Sequence, residues 1–370
     1  MRARGSSPRA ALPGQVVLVL QGGGALGAYQ AGVYQALHDC GIAPNWVIGT
    51  SIGAVNGALI AGNRPEHRLA RLHDFWHRVE KTRPIAALGL GPVAQNFFGN
   101  LDTLLGGVAG LFEPNVQAWL GAHARVGIEA ASWYSTAPLH ASLRELTDLE
   151  ALADHSTRFT VGAVNVRTGR MRYFDSRDER LGVDHVMASS ALPPAFPAIR
   201  IDGEPYWDGG IYSNTPIEAV LDDRPRRDSV IFAVNVWQPD GEEPQSLWEV
   251  MGRQKEIQYA SRADSHIARQ QQIHHLRHVV RELARHLPAK QRESAAVKEL
   301  ASWGCGTVMH VIPLLASRLD GEDQTKDIDF SAARVHARWQ AGLNDTLQVI
   351  ERAPWTAAVD PIEGVIVHRA

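Results

Sequence analysis

The sequence has little of what would place it in a specialised class of protein. Its 370 residues include two cysteines, Cys40 and Cys305, which lie far apart and outside any metal-ligand pattern, so neither a disulfide nor a cysteine-based metal site is expected. The 16 histidines include no His-Glu-x-x-His spacing, and the formal net charge is only −3. We therefore expect no metal, no cofactor and no nucleic-acid partner.

Long hydrophobic runs are also missing. No stretch of about 18 apolar residues occurs, so no transmembrane helix is predicted. Arg2, Arg4 and Arg9 precede an apolar run, but Val16–Leu20 is shorter than the roughly 7- to 15-residue core of a signal peptide. We interpret residues 1–14 as a disordered basic lead and expect a cytoplasmic protein, leaving peripheral contact with a membrane open.

Strand and helix patterns alternate along the chain, which predicts an α/β fold with a mostly parallel sheet and helices on both faces. From Leu247 to about Leu300 the sequence becomes polar, basic and helical. The predicted strands are Val16–Leu20, Trp46–Gly49, Phe159–Val166, Met171–Phe174, Val230–Val236 and Val308–Pro313. The predicted helices are Gly27–His38, Gly53–Ala61, Pro65–Arg78 and Ser331–Arg352.

A glycine-rich turn separates the first strand from the first helix. Gly22, Gly24 and Gly27 fit the Gly-x-Gly-x-x-Gly pattern of dinucleotide-binding proteins, but that reading needs an acidic residue about 20 positions later. The end of the second strand, Trp46–Gly49, has no carboxylate. Two other interpretations stay open: a turn that only packs a helix on a strand, or an oxyanion hole formed by the N–H groups of residues 22–25.

The second motif, Gly49-Thr50-Ser51-Ile52-Gly53, is a Gly-x-Ser-x-Gly between a predicted strand and a helix of small residues. This pattern is typical of a sharp turn that exposes a nucleophilic serine above a sheet edge. Ser51 is therefore the candidate nucleophile, and Gly49 and Gly53 are the residues that make room for the turn.

A nucleophilic serine needs a base, and the sequence offers two kinds. The downstream histidines lie on polar helical sequence, which favours a solvated helix face over a catalytic role; they are His266, His274, His275, His278 and His286. Asp208 instead follows Tyr206-Trp207 and precedes Gly209 and Gly210, just before Thr215–Glu218, which we interpret as a capping-box helix start. A carboxylate in such an apolar setting has a raised proton affinity and can accept a hydroxyl proton.

These motifs together resemble the bacterial patatin-like phospholipases. Gly22–Gly27 matches the glycine-rich loop of that family, Gly49–Gly53 the nucleophile elbow and Asp208-Gly209-Gly210 the Asp-Gly-Gly motif, while Ala188–Pro193 and Phe196-Pro197 are similar to the segment before it. The similarity covers about residues 16–225. One departure is Leu26, where many members of the family have Arg or Lys.

The resemblance implies a three-layer α/β/α sandwich and metal-free cleavage of lipid esters by a Ser51–Asp208 dyad through an acyl-enzyme, without a histidine. It places the oxyanion hole at Gly22, Gly23, Gly24 and Ala25. The expected partner is a lipid or acyl-ester substrate, of the kind used by phospholipase A or lysophospholipases, and an oligomer is left open. The alternatives are a nucleotide-binding protein without hydrolytic activity and an acyltransferase.

We expect a catalytic domain at residues 15–240 and a mainly helical extension at residues 241–370 packed on it. Within the first, residues 84–135 form an apolar region that is either a cap packed on the core, which we favour, or a lid at a lipid surface. The extension resembles an uncharacterised tail of some bacterial patatin-like proteins. Its helical part is predicted to bury one apolar stripe, comprising Leu247, Val250, Met251, Ile257, Ile267, Ile273, Leu276, Val279, Val280 and Leu283.

Overall fold

The computed structural model of the chain describes residues 12–81, 102–149, 152, 157–360 and 362–369. Most of the predicted basic lead, residues 1–11, and the first part of the predicted cap, residues 84–101, lie outside the described residues. None of the helices in the described ranges is both long and apolar enough to cross a bilayer.

The predicted α/β fold with a mostly parallel sheet is confirmed. Within the described residues, the main sheet has nine strands: β1 (Gln15–Leu20), β2 (Trp46–Gly49), β3 (Arg158–Asn165), β4 (Met171–Asp175), β5 (Ile199–Ile201), β6 (Glu204–Asp208), β7 (Ser229–Asn235), β8 (Met309–Leu315) and β9 (Val365–Val367). Their order is β9-β8-β7-β1-β2-β3-β6-β5, and β4 pairs with β3. Pairing is parallel from β9 to β3 and antiparallel among β3, β4, β5 and β6.

Helices cover both faces of this sheet, because its central strands are apolar on both sides and must be buried on both. The α-helices with both bounds inside the described residues are α1 (Ala28–Asp39), α2 (Ile52–Ala61), α3 (Arg68–Val79), α4 (Ala137–Leu146), α5 (Val183–Ser189), α6 (Glu218–Leu221), α7 (Leu247–His286), α8 (Ala289–Arg292), α9 (Ala295–Ala301) and α10 (Ala332–Arg352). Leu18 and Leu20 face one apolar cluster with α1 and α10, whereas Val17 and Val19 face another with α6 and α7.

The end of the chain is built into this architecture. The predicted strand at 308–313 is β8, which pairs in parallel along the whole of β7. Helix α10 crosses α1 at Gly32 and Gly342, where the backbones approach closely: a β-carbon at Gly32 would lie 1.9 Å from the Trp339 carbonyl oxygen. Glycine is required at this crossing because any side chain would separate the two helices.

The predicted apolar stripe of α7 is wrong for most of its residues: Ile267 is buried in an apolar cluster, but six of the others are at least 45% exposed. Leu276 and Leu283 are 63% and 65% exposed, and Gln270, His274 and His278 are buried instead. These polar side chains can be buried because each finds a hydrogen-bond partner: Gln270 donates to Asp222 Oδ1 at 2.8 Å, and a ring nitrogen of His274 and of His278 bonds to the carbonyl oxygens of residues 221 and 307. The prediction of a solvated histidine face is therefore also wrong for His274 and His278.

Candidate active site

Ser51 lies in the turn between β2 and α2. Its backbone angles, φ +55° and ψ −128°, are rarely adopted by residues other than glycine. The flanking glycines allow this turn: a β-carbon at Gly49 would lie 2.3 Å from the Gly53 carbonyl oxygen, and one at Gly53 would lie 2.2 Å from the Leu20 carbonyl oxygen. Such a strained strand-to-helix turn is the geometry that exposes a nucleophile at the carboxyl edge of a sheet.

Asp208 ends β6 and its side chain is buried, with 1% of the residue exposed. One carboxylate oxygen, Oδ1, accepts the N–H of Gly210 at 2.7 Å, and Oδ2 has no hydrogen-bond partner among the described residues. Burial raises the pKa of Asp208 from 3.8 to about 7, against smaller lowering contributions from the Ser51 hydroxyl and the Gly210 N–H. The carboxylate is therefore a much better proton acceptor than an exposed aspartate.

One short segment, residues 189–191, connects the turn of Ser51 to the end of β6. The backbone N–H of Ser51 donates to the carbonyl oxygen of Ser189 at 3.0 Å and to its hydroxyl at 3.2 Å, while the N–H of Asp208 donates to the Ala191 carbonyl oxygen at 3.0 Å. The Ser189 hydroxyl in turn donates to the Gly162 carbonyl oxygen on β3 at 2.7 Å. The segment that resembled the family sequence thus fixes the distance between the two candidate residues.

The glycine-rich loop passes directly beside Ser51. A β-carbon at Gly22 would lie 2.4 Å from Asn214 Oδ1 and 2.9 Å from Ser51 Cβ, so no side chain fits there. The N–H of Gly22 already donates to the Asn214 carbonyl oxygen at 3.1 Å. This leaves Gly23, Gly24 and Ala25, whose N–H groups have no acceptor among the described residues, as the loop's available donors.

Gly27, at the end of this loop, packs against α2, the helix that follows Ser51. A β-carbon at Gly27 would lie 2.6 Å from Ile52 Cγ1. Helix α1 begins at the next residue, Ala28. The loop and the candidate nucleophile are therefore packed against each other as one unit.

The sequence did not predict that several polar residues lie around the loop. Gln21, buried between β1 and the loop, donates to the Thr215 hydroxyl at 2.7 Å and to the Tyr259 carbonyl oxygen at 3.2 Å. Asn214 Nδ2 and Trp237 Nε1 both donate to the Gly22 carbonyl oxygen, at 3.0 and 2.8 Å. Only a structure brings these residues together, because they are separated by up to 238 positions and belong to no short motif.

The capping-box interpretation of Thr215–Glu218 is wrong. Helix α6 begins at Glu218 without a side-chain cap, and the Thr215 hydroxyl donates to Asn235 Oδ1 at 3.2 Å while accepting the bond from Gln21. Thr215 thus supports the loop's surroundings and not the helix.

The structure brings no histidine to the pair Ser51 and Asp208: within the described ranges, neither residue forms a hydrogen bond or an ion pair with one. Burial lowers the pKa of His274 to about 4, but that ring contacts the Leu221 carbonyl oxygen. The part of the chain that the structure describes also contains no group of three or more His, Cys, Asp or Glu residues that could hold a metal ion.

Comparison with known proteins gives two family matches. A model described as patatin-like phospholipase matches residues 18–221, and a model described as patatin phospholipase matches residues 257–362. The first covers more than half of the chain and contains all three motifs.

Individual relatives are longer and more distant. Lysophospholipase NTE1 of Yarrowia lipolytica is 27% identical over 234 residues, which are 63% of this chain and 14% of that protein. Patatin-like phospholipase domain-containing protein 7 of Rattus norvegicus is 53% identical over 49 residues, 13% of this chain and 4% of that protein. The crystal structure of VipD from Legionella pneumophila aligns with 93% of this chain and 68% of its own, at 15% identity and a TM-score of 0.38. The chain thus spans a small part of the length of the curated relatives that it matches.

The family model over residues 18–221 and the three motifs within that range lead to the same conclusion. The chain belongs to the patatin-like phospholipase family.

Proposed function

We propose that this protein hydrolyses carboxylic ester bonds of lipids, as a phospholipase A or lysophospholipase does, with Ser51 as nucleophile and Asp208 as general base. The observation that carries the proposal is the combination of a strained, glycine-flanked serine with a buried carboxylate whose pKa is raised to about 7. A base with a pKa near the working pH combines a large ionised fraction with a strong tendency to accept a proton.

The reaction begins when Asp208 accepts the hydroxyl proton of Ser51 and the serine oxygen attacks the ester carbonyl carbon. The resulting tetrahedral oxyanion accepts hydrogen bonds from the N–H groups of the loop, of which Gly23, Gly24 and Ala25 are unengaged. Collapse breaks the bond to the leaving alcohol, which takes the proton from Asp208 and departs, leaving an acyl-enzyme.

Deacylation repeats these steps with water. Asp208 accepts a proton from the water molecule as the water oxygen attacks the acyl carbon. The second oxyanion accepts hydrogen bonds from the same N–H donors. Collapse breaks the bond to Ser51, whose oxygen recovers the proton, and the carboxylic acid leaves. Loss of one oxyanion donor typically lowers turnover by about 100- to 1000-fold. The glycines of the loop have no β-carbon that would block the approach of the substrate to these donors.

The predicted cap, residues 84–135, exposes apolar side chains, and apolar side chains can contact a lipid surface only if they face the solvent. Val108 and Phe112 of this region are buried, but four large apolar residues of the same region are 69–88% exposed; they are Leu105, Val116, Trp119 and Leu120. Val116, Trp119 and Leu120 share one short 3-10 helix, Val116–Leu120, and exposed apolar residues that include a tryptophan are typical of interfacial contact. We propose that this surface meets the lipid that carries the substrate.

A panel of p-nitrophenyl esters and phospholipids, tested with wild type and Ser51→Ala, examines the reaction. We expect wild-type hydrolysis and a loss of at least about 100-fold in the variant. Hydrolysis that persists in Ser51→Ala would remove Ser51 as the nucleophile. An ester product formed with an added alcohol, in place of free acid, would instead identify an acyltransferase.

The cap is tested with phosphatidylcholine vesicles. Trp119→Ala should lower hydrolysis of vesicle lipid while leaving hydrolysis of a soluble p-nitrophenyl ester unchanged. Trp303→Ala, which removes a tryptophan that is 68% exposed in the extension, is the matched control. Equal effects of both variants on vesicle lipid would contradict a role of the cap surface.

A further inference from the structure

The carbonyl oxygen of Gly22 accepts two hydrogen bonds from side chains far away in the sequence. Trp237 Nε1 donates to it at 2.8 Å and Asn214 Nδ2 at 3.0 Å. A carbonyl oxygen has two lone pairs, so the two donors saturate it and fix its direction.

Fixing this carbonyl also fixes a candidate oxyanion donor. The Gly22 carbonyl and the Gly23 N–H belong to one planar trans peptide group, in which they point in opposite directions. The direction of the Gly23 N–H is therefore determined by what holds the Gly22 oxygen. Glycine has the largest backbone freedom of all residues, so a loop of three successive glycines needs such external support to stay preorganised.

The indole of Trp237 is itself held by the C-terminal extension. The Lys326 ammonium lies 5.6 Å from the centre of the Trp237 ring, within cation–π range, and pairs with Glu256 Oε1 at 2.8 Å. Lys326 and Glu256 are both nearly buried. The Tyr259 ring packs on Trp237 with centroids 5.1 Å apart. Two residues beyond 240, Lys326 and Tyr259, thus contact the indole, and Glu256 holds the first of them.

The extension also touches the loop directly at the next glycine. Gly24 has φ +55°, and a β-carbon there would lie 2.3 Å from the Asp327 carbonyl oxygen. A β-carbon at Gly23 would lie 2.6 Å from Val236 Cγ2 and 3.3 Å from Trp237 Nε1. The loop is therefore enclosed on its outer side by Val236, Trp237 and Asp327.

We propose that the extension positions the oxyanion loop through Trp237, with Lys326 and Glu256 holding the indole so that its N–H orients the Gly22–Gly23 peptide. This inference rests on the proposed function for its effect on turnover, but the positioning itself is measurable without a substrate. Trp237 and Lys326 are positioning residues, because neither is required to touch the substrate.

Trp237→Phe removes the indole N–H and keeps an aromatic ring under Lys326. We expect kcat on a p-nitrophenyl ester to fall about tenfold, less than for loss of a donor that contacts the oxyanion itself, with KM within about twofold of wild type. Inhibition by an alkyl trifluoromethyl ketone, whose adduct with the serine carries the oxyanion, should weaken by about the same factor as kcat.

Trp355→Phe is the matched control, because Trp355 is also buried and its indole N–H has no acceptor among the described residues. It should leave kcat and the ketone affinity unchanged. Lys326→Met, which keeps the length of the side chain but removes its charge, should lower kcat about threefold through Trp237. This second variant keeps the proposal testable if Trp237→Phe fails to fold.

Amide hydrogen exchange separates this inference from the proposed function. In Trp237→Phe the amides of Gly22 and Leu26, which donate to the carbonyl oxygens of Asn214 and Gly23, should exchange at least about tenfold faster, and in Trp355→Phe they should not. Faster exchange in a protein that cleaves no ester would refute the function and retain the positioning. Unchanged exchange and unchanged kcat in a folded Trp237→Phe or Lys326→Met variant would overturn the positioning.

Discussion

The backbone N–H of Ser51 donates to the carbonyl oxygen of Ser189 at 3.0 Å, and this bond ties the turn of the proposed nucleophile to the segment that leads to Asp208. The Ser189 hydroxyl accepts a second, longer bond from the same N–H and donates to β3. Ser189 is fully buried, so these bonds are not exchanged for bonds to water. The strained turn of Ser51 is held from outside, as strained functional turns must be.

Ser189→Ala should therefore lower kcat by about 3- to 10-fold, because a small displacement of a nucleophile is costly in a preorganised site. Ser142→Ala is the control: Ser142 is equally buried and its hydroxyl donates to the Gly110 carbonyl oxygen at 2.9 Å. Both variants should lose some stability, measured by thermal unfolding, but only Ser189→Ala should lose turnover. Equal turnover in both would remove the positioning role of Ser189.

Asp208→Asn should abolish ester hydrolysis and stabilise the fold at neutral pH. The folded pKa of about 7 lies above the unfolded value of 3.8, so the native state binds more protons and stability falls as the pH rises from about 4 to 7. Removing the buried charge relieves a cost on the order of 4 kcal/mol above pH 7. Denaturant unfolding of wild type and variant at pH 5 and pH 8 measures this difference, which should be larger at pH 8.

The opposite pattern for Asp208→Asn, lower stability at pH 8 than wild type, would show that the carboxylate is stabilised in the fold.

The proposed Ser51–Asp208 dyad uses no histidine as a base, so no single His→Ala substitution should abolish turnover. If a single His→Ala substitution abolished turnover without unfolding the protein, a Ser-His-Asp triad would replace the dyad.

The pH dependence of kcat/KM should follow the ionisation of Asp208 in the free enzyme. Because the carboxylate must be deprotonated to accept the serine proton, kcat/KM should rise with pH to a plateau, with an apparent pKa near 7. A steady-state series with a soluble ester between pH 5 and pH 9 measures this limb. A flat profile down to pH 5 would mean that the base is already ionised there, and would contradict the buried setting of Asp208.

Truncation after Asp240 should give insoluble or inactive protein. It removes β8, which pairs with β7 along its whole length, and α10, which packs on α1. An uncovered strand edge and an uncovered apolar helix face both favour aggregation. Solubility and activity of residues 1–240 measure the effect, and a soluble, fully active fragment would show that the extension is dispensable.

The local features of the fold were predictable because they depend on neighbouring residues. The strand Val16–Leu20, the glycine turn and the Ser51 turn all follow from apolar runs and glycine spacing within a few positions. The burial of Asp208 was also expected from its aromatic and glycine neighbours, and the structure leaves it 1% exposed.

The surroundings of the site were not predictable because they depend on tertiary contacts. Nothing near Trp237 or Asn214 in the sequence indicates that both donate to Gly22. The burial of the apolar stripe on α7 was predicted wrongly for the same reason. Hydrogen-bond partners from other elements allow His274 and His278 to be buried, while Leu276 stays exposed. Leu26, which departs from the basic residue common in the family, is buried and lines one cavity with Lys326 and Arg338, and each of these cations pairs with a glutamate.

The most direct measurement of the central claim is the reaction of the full-length protein with a fluorophosphonate, followed by intact mass and peptide mapping. We expect one adduct per chain, located on Ser51 and absent from folded Ser51→Ala. Because Asp208 is the proposed base that activates the serine, Asp208→Asn should label at least about 100-fold more slowly. No adduct on the folded wild-type protein, or an adduct on another residue, would contradict the assignment of Ser51 as a nucleophile.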